Sequence, residues 1–233
     1  MMKRLLALSA FLPLVALAQA PGEYVTEGGW GTLVISPAKG GASPFKLDAL
    51  GSNFHVCGLE GEIRGGKATL EGDEPKKPCI VTFTTSAKGI EVKGTEGACG
   101  QYCGMRAQFE GTYLKPAKGC AASEMKATRA AFKRQYDARK FDEARALLEP
   151  MHASCGKMLF WIDEGWVRND LAITQYRLGD RAGCLKTLQP LSEDAAKTDA
   201  QLKDDYPPSD WDVYSRVVRA TRANLKLCKS AAK

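Results

Sequence analysis

The sequence predicts an α+β chain of two domains, a small antiparallel β-barrel or sandwich followed by an all-α domain of helical hairpins. Three observations predict it. Nineteen of the 23 glycines fall between Gly22 and Gly119, so a turn-rich half precedes a helix-rich one. The hydrophobic period changes at the same place, from alternation to helical spacing. The eight cysteines also divide there, with Cys57, Cys79, Cys99 and Cys103 before and Cys120, Cys155, Cys184 and Cys228 after. The linker Lys115–Gly119 is the boundary, which gives a signal peptide over 1–20, a β domain over 21–118 and a helical domain over 119–233. With 44% hydrophobic and 26% charged residues, the composition is that of a folded chain and not of a disordered one.

The first segment has a basic start at Lys3 and Arg4, an apolar run from Leu5 to Leu17, and the small-x-small ending Ala18-Gln19-Ala20. That is the pattern of a secretory signal peptide cleaved after Ala20, so the mature chain is expected to begin at Pro21. The run is too short to span a bilayer, and no later stretch approaches the length of a membrane helix, so no integral membrane segment is expected. Export to the periplasm or beyond makes an even set of cysteines a disulfide framework, in preference to a metal site or a catalytic thiol.

In the β half, alternation is clearest over Met105–Glu110, where Met105, Ala107 and Phe109 would face a core and Arg106, Gln108 and Glu110 would face water. Further short strands are expected over 31–35, 54–63, 68–70, 80–84 and 90–93, bounded by Gly28-Gly29, Gly40-Gly41, Gly65-Gly66 and Gly94. Eleven Lys and Arg balance eleven Asp and Glu between residues 21 and 119.

The segments His55–Gly61, Cys79–Phe83 and Cys99–Gly104, leading into Phe109-Glu110-Gly111-Thr112-Tyr113, resemble a small β module of secreted proteobacterial proteins, some of them described as lysozyme-inhibitor-like. The resemblance implies an envelope module without enzymatic activity, and the pairing of Cys57 with Cys79 and of Cys99 with Cys103. A redox role for Cys99-x-x-x-Cys103 is disfavoured, because an active dithiol has two intervening residues and sits at a helix N-terminus that lowers the thiol pKa. His55 and His152 are the only histidines, too few for a His-based zinc cluster, so no metal and no cofactor is expected.

From Ser123 onward the apolar positions take helical spacing, and residues 136–151 superpose on 176–191 with a constant offset of forty. Tyr136 matches Tyr176, Phe132 matches Ala172, Ala144 matches Cys184, Leu148 matches Leu188 and Pro150 matches Pro190. A repeat of this length is one supersecondary unit stacked on itself, since a single helical hairpin cannot bury its own apolar face. Asn169–Asp180, with Tyr176 and a turn glycine at Gly179, resembles the first helix and turn of a tetratricopeptide repeat, and Phe141–Ala144 resembles the start of a second helix. The preceding unit departs from that pattern, with Phe132 for a small residue and Arg139 for glycine. The forty-residue period exceeds the family's thirty-four, and the excess is placed in the linker from Cys155 to Ile162.

A last helix is expected over about 209–228, capped by Ser209 and burying Trp211, Tyr214, Val218, Leu225 and Cys228, so that it closes the end of the stack. In an antiparallel hairpin the start of the first helix and the end of the second lie together, which predicts Cys120–Cys155. The same geometry predicts Cys184–Cys228.

Such arrays act mainly through the inner faces of their first helices, which the helical phase assigns to Lys126, Arg129, Lys133 and Tyr136 in one unit and Trp166, Asn169, Ile173, Tyr176 and Arg177 in the next. With twenty Lys and Arg against sixteen Asp and Glu in this half, the face is expected to be cationic and aromatic. An unknown protein, through an acidic segment or a carboxylate terminus, is the expected partner. Nucleic acid is disfavoured by the modest charge, the lack of a reader motif and export. Serine-nucleophile elbows, His-Glu-x-x-His, phosphate-binding Gly-Lys loops and dinucleotide fingerprints are all absent, and Asp163-Glu164 are adjacent on a helix and point apart. The expectation is therefore a non-enzymatic protein-binding module, an adaptor or inhibitor of an envelope or secreted enzyme. The alternative is an envelope hydrolase without a recognisable motif.

Overall fold

The computed structural model describes residues 19–230, so the expected signal peptide falls almost wholly outside the described residues. Eight antiparallel strands, β1 (Gly22–Thr26), β2 (Gly31–Ile35), β3 (Ser43–Leu50), β4 (Val56–Ile63), β5 (Lys67–Glu74), β6 (Lys77–Thr85), β7 (Gly89–Lys93) and β8 (Gly111–Leu114), form one sheet in the order β4-β3-β2-β1-β8-β7-β6-β5. The chain thus makes two four-strand meanders joined where β1 pairs with β8, and the sheet curls into a near-closed barrel. Alternation sets its inside. The burial of β3 switches at nearly every residue, and Leu33, Leu47 and Leu59 lie opposite one another across β2, β3 and β4 in a fully buried layer. Tight turns at Gly40-Gly41 and Gly65-Gly66 place both glycines at positive φ, the conformation that a two-residue hairpin turn matching the strand twist demands.

Among the described residues the edge strands β4 and β5 share backbone pairing only at the Arg64–Lys67 turn, and the segment after β7 fills the seam where they diverge. Gly104 donates its N–H to the Val56 carbonyl on one side (2.9 Å), and Asp73 accepts from the N–H groups of Gly100 and Gln101 on the other (both 2.7 Å). Two disulfides pin this segment, Cys57–Cys103 to β4 and Cys79–Cys99 to β6. The pairing implied by the resemblance, Cys57–Cys79 and Cys99–Cys103, is therefore corrected. Cys99 and Cys103 flank a single 3₁₀ turn, Gly100–Tyr102, and reach to opposite sides of the seam. The expected strand over Met105–Glu110 is corrected too. This stretch is irregular, Met105 is 94% exposed, and only Phe109 is buried. Strands β1, β3 and β8 were not among those expected.

The helical half comprises α1 (Ala122–Asp137), α2 (Phe141–Cys155), α3 (Trp161–Arg177), α4 (Arg181–Leu188), the short α5 (Ser192–Ala196) and α6 (Asp199–Asp205), and α7 (Pro208–Lys229). Among the described residues no helix is long and apolar enough to cross a membrane. The forty-residue repeat is explicit in the backbone. α1 ends with Arg139 at φ 60° and Lys140 N–H bonded to Gln135 O, and α3 ends with Gly179 at φ 82° and Asp180 N–H bonded to Gln175 O, both at 2.9 Å. These are the same left-handed helix stop. Arg139 performs the glycine's role at the steric cost of a Cβ.

The repeat's core positions Phe132, Ala144 and Leu148 are buried in one hairpin as Ala172, Cys184 and Leu188 are in the next. The residues beyond thirty-four do not sit in the 155–162 linker, because only five residues, 156–160, separate α2 from α3, and the helices themselves are long. The copies diverge after Leu148 and Leu188: α2 runs on through Pro150 to Cys155, whereas α4 stops and a 3₁₀ turn containing Pro190 follows.

The disulfides Cys120–Cys155 and Cys184–Cys228 join the ends that hairpin geometry predicts. α7 packs on α3 and α4, burying Trp211, Tyr214, Val218 and Cys228, with Leu225 half-buried. It begins at Pro208, with Pro207 and not Ser209 at the cap. Proline suits that first position because its missing N–H has no helical partner there.

The halves touch directly. Gly28 donates to the Lys157 carbonyl (2.7 Å), Ala122 N–H to the Glu23 carboxylate (2.8 Å), and the Phe54 and Phe160 rings meet edge to face. Gly29 lies so close to the 158–160 backbone that a Cβ there would sit 2.4 Å from Met158 O.

Candidate functional site

α1 and α3 both pack on α2 and leave a groove between them of about 730 Å³. Its apolar surface comes from the buried Met125, Phe132 and Leu159 with the half-buried Tyr136 and Ile173. Lys126, Arg129 and Lys133 recur at three and four residues on α1, so one face of that helix delivers all three to the groove. Of the residues expected on this face, Lys126, Arg129, Lys133, Tyr136 and Ile173 line it.

Trp166, Asn169 and Tyr176 do not. Asn169 is 2% exposed, its amide donating to Gly165 O and Thr221 Oγ1 (both 2.9 Å) and its side-chain oxygen accepting from Asn224 (3.0 Å). Trp166 packs in the aromatic cluster with Trp211 and Tyr214, and Tyr176 packs beside Cys184 and Cys228 under the Arg181 guanidinium. Arg177 is exposed and lines a separate, smaller cavity with Tyr136, Arg139 and Phe141. Ile173 lies on the expected face, whereas Asn169 gives way there to its neighbour Asp170, one residue or about 100° away, because this helix is covered on both sides, by α2 and by α7 with α4, so its apolar pattern marks no single inner face.

Besides Ile173, the residues that α3 gives to the groove are acidic. Asp163 forms an ion pair with Arg129 (2.8 Å), and Asp170 lies further along. Asp137, from the end of α1, pairs with Lys133 (2.6 Å). Three carboxylates thus face three cations, and the expectation of a cationic surface is corrected to a charge-balanced one. The half-buried Asp170 is unlike the others. No side chain among the described residues donates a hydrogen bond to it, and burial pushes its carboxyl up to about 6 against the opposing charges of Arg129 and Lys133. The carboxylates of α3 are visible in the sequence, but which of them face α1 depends on the helix phase.

A second cavity, about 580 Å³, lies where the Glu27-Gly28 turn meets α2 and α3. There Glu164 bonds to both His152 (3.3 Å) and Arg168. Burial raises the Glu164 pKa, but the hydrogen bond from His152 and the charge of Arg168 outweigh it and hold the carboxyl below its usual range. Among the described residues no group of three or more His, Cys, Asp and Glu side chains gathers as a metal site. No protein-family model, curated protein or solved structure matches this chain.

Proposed function

We propose that this chain is a non-enzymatic, exported protein-binding module, an adaptor or inhibitor in the periplasm or outside the cell, that grips a peptide segment of its partner in the groove between α1 and α3. The observation that carries the reading is the groove itself, an apolar floor of Met125, Phe132 and Leu159 between walls of charged side chains. Floors of this kind supply affinity by burial and polar walls supply orientation. The likeness of Asn169–Asp180 to a tetratricopeptide unit supports the same use, since those arrays bind peptides along their first helices. Four disulfides suit an oxidising compartment, where they form and persist.

Selection of a phage-displayed random octapeptide library on the mature chain tests the reading. Enriched peptides are expected to lose affinity by about tenfold on Lys126→Glu, and comparably on Ile173→Arg, while Val34→Arg on the barrel surface changes nothing. Peptides indifferent to both groove variants would overturn it.

A further inference from the structure

We infer that Asp170 is a specificity-determining residue of the groove, taking an ammonium or guanidinium group of the bound segment, so that the partner presents a basic residue beside an acidic one instead of a purely acidic run. The inference rests on the groove reading above and refines its partner. Arg129 and Lys133 are already engaged by Asp163 and Asp137, at 2.8 and 2.6 Å. Two charges on the walls are left without an ion-pair partner among the described residues, the exposed Lys126 on α1 and the half-buried Asp170 on α3. A partly desolvated carboxylate that nothing donates to is a poor host for another anion and a good one for a cationic donor, because the incoming charge replaces the solvation that the fold has removed.

Arg129 and Lys133, the cations nearest Asp170, oppose such a guest. Each lies against a carboxylate, however, so the field a guest meets there is that of neutralised pairs plus one unpaired anion. Asp170 sits alongside the Arg129–Lys133 stretch of α1, one to two helical turns beyond Lys126, roughly 5–10 Å along the groove. An extended peptide rises about 3.3 Å per residue. A carboxylate at Lys126 and a cation at Asp170 are therefore two or three residues apart in one segment.

The same octapeptide library, selected in parallel on the wild type and on Asp170→Asn, tests this. Wild-type binders are expected to carry Lys or Arg two or three residues from Asp or Glu, and Asp170→Asn binders to keep the acidic preference and lose the basic one. Replacing the basic residue of a synthetic wild-type binder by norleucine should weaken it by about tenfold on the wild type and by less than about twofold on Asp170→Asn. Thermal melts showing Asp170→Asn folded complete the comparison. Binders sensitive to Lys126→Glu but without a basic preference, or an equal norleucine penalty on both proteins, would overturn the inference and leave the groove reading standing. Binders indifferent to Lys126→Glu and Ile173→Arg, or no binders at all, would overturn both.

Discussion

At the scale of single residues, Asn169 and Asp170 are neighbours in sequence and opposite in role. One helical step of 100° turns Asn169 into a closed hydrogen-bond network with Thr221 and Asn224 and turns Asp170 towards the groove. The position of Asp170 has a thermodynamic signature. Its carboxyl titrates near 6 in the fold and near 3.8 in an unfolded chain, because burial penalises the charged form more than Arg129 and Lys133 favour it. The fold therefore binds this proton more tightly than the unfolded chain does. The resulting stability is fully present below about pH 4 and is lost as pH rises through about 6, a change of about 3 kcal/mol. Of the groups lining the groove, Arg129 and Lys133 from α1 are the neighbours that modulate it, both favouring its charged form. Asp170→Asn, which carries no charge to desolvate, is expected to be more stable than the wild type by about 2–3 kcal/mol at pH 7.5 and nearly equal to it at pH 4. Urea denaturation at both pH values measures this, and a difference that does not change with pH would contradict the burial of this carboxylate.

At the scale of elements, the seam segment between β7 and β8 does the work that an additional strand pairing would do in a closed barrel. It covers the β4 edge through the Gly104 N–H and reaches the β5 edge through the Gln101 and Tyr102 side chains, both donating to Glu71 O. Covering edges in this way removes the unpaired groups that invite association. Cys57–Cys103 closes a sequence separation of 46 residues, for which the chain-entropy model gives about 4 kcal/mol. The Cys57→Ser/Cys103→Ser double variant is expected to lose up to that amount in denaturant melts. It should also show faster amide exchange at Gly100, Gln101 and Gly104 with the β2 and β3 amides still protected. Unchanged exchange in the seam would mean that its hydrogen bonds, not the bridge, hold it.

These residues also show how far the sequence could be read. Short-range rules located β2, β4, β5, β6 and β7, the two helical hairpins and both of their disulfides, because strand alternation, helix ends and cysteine positions are local facts. The seam was misread as a strand because Met-Arg-Ala-Gln-Phe-Glu alternates, while what occupies the gap depends on β4 and β5, edges brought near each other only by the closed topology. The groove was half legible. An exposed helix such as α1 shows its phase in its charges, and an α3 covered on two sides does not.

At the scale of the whole molecule, charge, glycine and cysteine usage all change at Lys115–Gly119, and the chain passes there from β8 to α1, which predicts halves that fold apart. All four disulfides close within one half or the other, so nothing covalent but this linker joins them. The contacts between them argue for a fixed relative placement. Asn53 and Phe54 stand side by side at φ 59° and 55°, a left-handed pair that costs a non-glycine backbone of order 1–2 kcal/mol per residue. Their surroundings hold them there. Asn53 N–H donates to the buried Asp210 carboxylate, the Asn53 side-chain oxygen accepts from Ser209 N–H, both at 2.9 Å, and Phe54 meets Phe160. Asn53 thus caps the first turn of α7 from the other half, satisfying a donor that the helix cannot. Cleavage at an engineered protease site within 115–119 is therefore expected to leave two fragments that co-elute on gel filtration. The Asn53→Ala/Asp210→Ala double variant, once cut, should separate. In the uncut protein each single change should cost about 1–2 kcal/mol, Asn53→Ala by stranding the Ser209 N–H and Asp210→Ala by stranding the Asn53 N–H. Fragments that part as soon as the wild-type linker is cut, or single variants that cost nothing, would show instead that the halves are independent and that the left-handed turn belongs to the barrel alone.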